Sequence, residues 1–169
     1  MTERWEAGGL IATHGGGPIS SSGGLHRYVV FGAILNPIWE VAQLPLYSIW
    51  RNGSWRDIAL AVLHCTAGDV MMTTASLLGS LLALGRPDWP TERYLATAIS
   101  TVIAGLAYTM FSEWFNIEIR HNWADDDLMR TLPWTGTGLS PLAQWIVIPV
   151  VNFLWLGRAA KRPQQLRET

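Results

Sequence analysis

The sequence predicts an all-α, polytopic membrane protein, a bundle of about four transmembrane helices. Three observations predict it. Of 169 residues, 49% are hydrophobic and only 15% charged, where a soluble domain carries about 25% charge. The charges crowd into short stretches, from Arg51 to Asp57, Arg86 to Arg93, Glu113 to Arg130 and Arg158 to Glu168. Between them lie apolar runs of spanning length. A span takes about 20 apolar residues, because the hydrocarbon core is ~30 Å thick and a helix rises ~1.5 Å per residue.

The first 26 residues read as a flexible tail. GGGPISSSGG from Gly15 to Gly24 has linker composition and no apolar signal-peptide core. The transmembrane domain is expected over residues 27–158, followed by a basic tail over 159–169. Span one is expected from about Tyr28 to Trp50, and span two from about Asp57 to Leu84. Span three should run from about Tyr94 to Ile117. Span four, the shortest, should run from about Pro141 to Leu156, with Pro141 placed where a helix start tolerates it. Pro37, Pro45 and Pro149 fall inside spans and mark kinks. Six of the ten tryptophans, Trp50, Trp55, Trp89, Trp114, Trp123 and Trp134, lie near expected helix ends, the level that indole rings prefer.

Arg158, Lys161, Arg162 and Arg167 in the C-terminal tail give the orientation. By the excess of basic residues on the inner side, the N- and C-termini are expected in the cytoplasm, in a membrane of the bacterial inner type. A net charge of -1 and the lack of a basic stripe exclude a nucleic-acid partner. One cysteine, Cys65, excludes an intrachain disulfide.

The polar residues inside the spans repeat at helical spacing. Asn36, Glu40, Gln43 and Tyr47 share one face of span one. Cys65, Asp69, Thr73, Ser76 and Ser80 share one face of span two, with His64 beside them. Thr109, Glu113, Asn116 and Arg120 do the same in span three, and span four offers Gln144 and Asn152. Three aligned faces should meet one another and avoid lipid. At a helical rise, Glu40 lies ~15 Å, His64 ~10 Å and Asp69 ~18 Å below the surface that carries the first loop. A polar cavity opening toward the first and third loops is expected.

A carboxylate at mid-bilayer costs from ~2.5 to more than 10 kcal/mol, so Glu40 and Asp69 must be neutral, paired or hydrated. That cost exceeds what polar helix–helix contacts return, ~0.6 kcal/mol on average. The expected catalytic set is therefore Glu40, Asp69, His64 and Glu113, with proton transfer as their chemistry. Trp39, Gln43, Tyr47, Tyr108 and Asn116 are expected to bind the substrate. Metal is a separate expectation. Glu118 and His121 form Glu-x-x-His, and Asp125 would follow on the same face if the helix continued. His64, Cys65, Met71, Met72 and Met110 offer soft ligands for copper, and His64 with His121 could hold a haem. No cofactor is assigned. The turn-rich segment from Leu132 to Pro141 is expected to lie over the cavity mouth or to serve as a plain connection.

Glu40-Val-Ala-Gln43-Leu-Pro45, followed by His64 and then Gly68-Asp69-Val70, resembles the superfamily of emopamil-binding protein and the sigma-2 receptor. The resemblance covers residues 40 to 70. It implies a small helical membrane protein with carboxylates in a pocket for sterols or lipophilic amines, and it carries over to Glu40 and Asp69. The leading functional expectation is a protein that binds or converts a lipophilic molecule, such as an isoprenoid, a sterol-like compound or another lipid, as a membrane-embedded isomerase or cyclase. Its partners would be membrane lipids and that molecule. A metal- or proton-handling transporter, or a subunit of an oligomer or larger membrane complex, is the alternative.

Overall fold

The computed structural model describes residues 21–84, 89–90, 92–121 and 125–165. Helix α1 spans Ser21–Gln43 and ends in a tight turn, Leu44–Leu46. A short helix α2, Ile49–Asn52, leads into the long α3, Trp55–Leu84. Helix α4, Tyr94–Trp114, widens into a π turn over Phe115–Ile119. Helix α5 is Leu139–Gln165. Four helical segments, Ser22–Leu46, Trp55–Leu84, Tyr94–Ile119 and Leu139–Ala159, are long and apolar enough to cross a membrane. No strand occurs among the described residues. The chain is thus an all-α, polytopic integral membrane protein.

The helices pack in the cyclic order α1, α3, α4, α5. The arrangement is inside out relative to a soluble bundle. Val30, Ile34, Ile38 and Val41 form an exposed apolar stripe on α1, while Asn36, Glu40 and Gln43 on the opposite face are buried. On α4, Leu95, Ile99 and Ile103 face outward and Thr97, Thr101, Thr109 and Glu113 face inward. With lipid as apolar as leucine, burying small and polar residues is what brings the helices together. Gly105 shows how close they come: a Cβ there would sit 2.3 Å from Cε3 of Trp145 on α5.

An apolar core nevertheless exists, at the terminal end of the bundle. Tyr28, Leu77, Trp89, Phe153 and Leu156 are all buried there, with Leu25, Leu81 and Tyr94 packed against them. The Tyr94 hydroxyl donates to the Phe153 carbonyl, which ties α4 to α5.

Several boundaries differ from the sequence expectation. Ser21, the first described residue, is already helical, inside the expected tail, and Gly24 lies under the Trp89 ring, where a Cβ would stand 2.8 Å from Trp89 Cζ3. Tail residues 1–20, and those after 165, lie outside the described residues. Span one stops at Leu46 rather than Trp50. Pro45 supplies no N–H and disfavours a helical residue before it, so the chain tightens and turns. Helix α5 starts two residues before Pro141.

Candidate functional site

The polar faces of α1 and α3 meet, and the residues bonded to them come from α5 rather than from the expected stripe of α4. Gln43 Nε2 donates to Glu40 Oε1 at 2.8 Å and to Gln144 Oε1 at 3.4 Å. Gln43 Oε1 in turn accepts from the Ser140 hydroxyl at 2.8 Å. Gln144 Nε2 donates to Asp69 Oδ2 at 2.8 Å and to Asn36 Oδ1 at 3.1 Å. Asn36 Nδ2 donates to the Thr73 hydroxyl at 3.4 Å and to the Gly32 carbonyl at 2.9 Å. Gln43 on Glu40 and Gln144 on Asp69, bonded to each other, bring the two carboxyls into one network.

An ionised carboxyl has only acceptors, and two carboxyls sharing one buried network favour a proton on one of them. Among the described residues, the one salt bridge joins Arg51 and Asp126 in the loops, away from this pair. Amide donors from Gln43 and Gln144 stand where a cation would stand beside the two carboxyls. A buried, uncompensated charge here would cost several kcal/mol, by the same reckoning as for any mid-bilayer carboxylate; a proton on either carboxyl would remove one of the two charges.

The helix levels follow from these contacts. Asp69 lies much deeper in its helix than Gln144 does in α5, yet the two are bonded. The start of α3 must project about 13 Å beyond the start of α5. The projecting turns carry Trp55, Arg56 and Asp57, all exposed, which suits the headgroup level. Asp57 caps its own helix end by accepting from the Ser54 N–H and hydroxyl.

At the loop-side rim stand Glu113, Tyr47 and Asp125. Glu113 is buried; one of its oxygens accepts from the Gly138 N–H, and the other, Oε2, is buried without a partner. Tyr47 pairs through its backbone with Asp125, and the Asp126 N–H donates to the Leu46 carbonyl at 2.9 Å. Burial, followed by the Glu113, Glu40 and Asp125 carboxylates around it, pushes the Tyr47 phenol well above its ordinary range. Burial likewise raises the half-buried Asp125 carboxyl.

Other expected site residues stand elsewhere. His64 is exposed on the outer face of α3, so it does not join the carboxyl pair. It directly precedes Cys65, the inward position, and a helix turns successive side chains by about 100°. Tyr108 is 41% exposed on α4; it follows the lipid-facing series rather than the inward one. Trp39 is half-buried beside Glu40 in the chain. Asn116 donates to the Ser112 carbonyl of its own helix. Arg120 lies over the Phe115 ring, outside the inward stripe. The stripe on α4 runs the other way, through Gly105, Thr101 and Thr97.

The metal expectations do not assemble. The helical run stops at Ile119 and His121 then adopts a positive φ of 51°, so Asp125 cannot continue the Glu118–His121 face. Both Glu118 and His121 are exposed. Met71 is 64% exposed and points away from Cys65. No group of three or more His, Cys, Asp or Glu side chains is arranged to hold a metal ion among the described residues.

The segment before α5 is divided in its role. Its stem is bonded to the site, through Gly138 to Glu113 and Ser140 to Gln43. Its tip turns back on itself, with Leu132 N–H donating to the Thr137 carbonyl and Gly136 in the left-handed region. Trp134 at the tip is 91% exposed, so the tip does not cover the pair. It borders a separate groove of about 570 Å³ lined by Met110, Phe111, Trp114 and Glu118 on the outer side of α4.

Ser140, and the hub role of Gln144, were not among the expected site residues. The polar character of Gln144 was visible, but its role depends on the depth offset between α3 and α5, which no local pattern encodes. Comparison with family models, with curated proteins and with solved structures finds no match for the chain.

Proposed function

We propose that the chain is a membrane-embedded protein that donates and withdraws a proton on a lipophilic molecule, of isoprenoid, sterol-like or other lipid character. The observation that carries this reading is the Glu40–Asp69 pair, held in one hydrogen-bond network by Gln43 and Gln144 inside the bundle. A carboxyl pair with one proton contains an acid and a base side by side, which is what an isomerisation or cyclisation by proton transfer needs. A molecule reaching it from the bilayer passes apolar helix faces rather than water. The resemblance to the emopamil-binding protein superfamily over residues 40 to 70 points to the same substrate class. In this reading Glu40 and Asp69 are catalytic, Gln43 and Gln144 hold them in place, and the termini lie in the cytoplasm of a bacterial-type cell.

The test is native mass spectrometry of the protein released from lipid nanodiscs, with identification of any retained small molecule. The expected result is a retained apolar compound that Glu40→Gln and Asp69→Asn bind but do not convert. Full retention of function by both folded variants would assign the pair to helix packing instead.

A further inference from the structure

The groove on the outer side of α4 takes no part in the carboxyl network and has a chemistry of its own. Its volume of about 570 Å³ is that of a small-molecule site, ~300–1,000 Å³. One wall is the loop-side end of α4, with Met110, Phe111, Trp114 and Glu118; the other is the tip before α5, with Trp134 and Thr135. The tip is a fixed wall. Gly136 N–H donates to the Leu132 carbonyl at 2.9 Å, and Leu139 N–H donates to the Arg130 carbonyl at 2.8 Å. The Thr135 hydroxyl is already engaged with that of Thr137 at 2.9 Å. Phe111 and Trp114 meet at 46°, with ring centroids 6.2 Å apart, so they form a corner rather than a stack. The adjoining ring already carries a cation: Phe111 stacks on Phe115, and the Arg120 guanidinium lies 5.7 Å from the Phe115 centroid. Glu118, one residue before the end of the span, pairs with no cation among the described residues. Anchoring at the membrane interface accounts for the indoles; it does not account for a carboxylate in the same groove.

An occupant suited to these walls is cationic, lies against aromatic rings and needs few hydrogen-bond acceptors. A quaternary ammonium meets all three conditions. Ring faces attract it, one carboxylate balances its charge, and it has no N–H to satisfy. The position of the groove chooses between a dissolved cation and a lipid. Ile99, Ile103 and Met110 follow one another at helical spacing and are all exposed. This apolar stripe runs into the groove, since Met110 is part of its wall. We propose that the groove is a headgroup site for a choline-type phospholipid, with the trimethylammonium held by Trp114, Trp134 and Glu118 and an acyl chain laid along Ile103 and Ile99. The site stands apart from the carboxyl pair and does not depend on what that pair does.

The experiment titrates the full-length protein in dodecyl maltoside with phosphatidylcholine, phosphatidylethanolamine or phosphatidylglycerol of identical chains. Bound lipid is counted by native mass spectrometry. Phosphatidylcholine should fill one site with an affinity about fivefold or more above that of either other lipid. Glu118→Gln and Trp134→Ala should each abolish that preference; both side chains are exposed, so the fold is kept. Trp55→Ala, which removes an exposed indole from α3, should leave the preference intact. Choline chloride at millimolar concentration should not displace the bound phosphatidylcholine. Equal binding of the three lipids would overturn the proposal, as would a preference that survives both groove variants. Displacement by choline chloride would assign the groove to a dissolved cation and overturn the lipid site.

Discussion

Gln144 makes three of the bonds that hold the carboxyl pair, two as donor and one as acceptor. Replacing it by leucine keeps the volume and strands Asp69, Asn36 and Gln43 in a buried setting. An unpaired buried group costs about 1–3 kcal/mol, and hydrogen bonds between membrane helices average only ~0.6 kcal/mol. Gln144→Leu should therefore lower stability by roughly 1–3 kcal/mol in total, read as a shift in unfolding midpoint in mixed micelles. Asp125 gives a pH-dependent test. Burial holds its carboxyl above the ordinary range, so the folded state binds the proton more tightly than the unfolded state does. The stability this contributes is present in acid and is lost as pH rises through the folded-state value. Asp125→Asn should match the unaltered protein in acid and exceed it at neutral pH, in melting curves taken across that range.

Among the elements, the α4–α5 contact is the one most sensitive to size. Gly105 meets the face of Trp145 so closely that a methyl group cannot be added without moving a buried indole. Overpacking of this kind costs about 1–3 kcal/mol, so Gly105→Ala should lower the thermal midpoint, while Gly79→Ala, with open space around it, should not. The loop ion pair is the opposite case. Arg51 is largely exposed where it meets Asp126, and such pairs contribute about 0–1 kcal/mol. Arg51→Ala should shift the midpoint by less than about 1 kcal/mol, because the loop is held mainly by backbone bonds such as Asp126 N–H to the Leu46 carbonyl. The helices themselves were legible in the sequence. Length and apolar content placed all four spans, and the spacing of Asn36, Glu40 and Gln43 placed their inward face. Local chemistry moved one end, through Pro45 after span one.

At the scale of the whole molecule, the sequence showed that polar stripes must meet but not at which depth. Glu40 with Asp69 was legible because both sit on stripes that approach the first loop. His64 was not separable from that stripe by eye, since a one-residue step turns a side chain from the interior to the lipid. Gln144 and Ser140 enter only because α3 projects past α5, and Asp125 joins the rim only through its backbone bridge to Tyr47. The result is an asymmetric bundle, with a hydrogen-bonded polar end toward the loops and an apolar end toward the termini. Its defining feature is the Glu40–Asp69 carboxyl pair held in an amide network, and the central claim is that this pair carries a proton. Static infrared spectroscopy of the reconstituted protein at neutral pH, with carbon-13 in the glutamate carboxyls, tests this most directly. The account predicts a protonated-carboxyl band that both Asp69→Asn and Glu40→Gln alter, and full ionisation of Glu40 and Asp69 at neutral pH would contradict it.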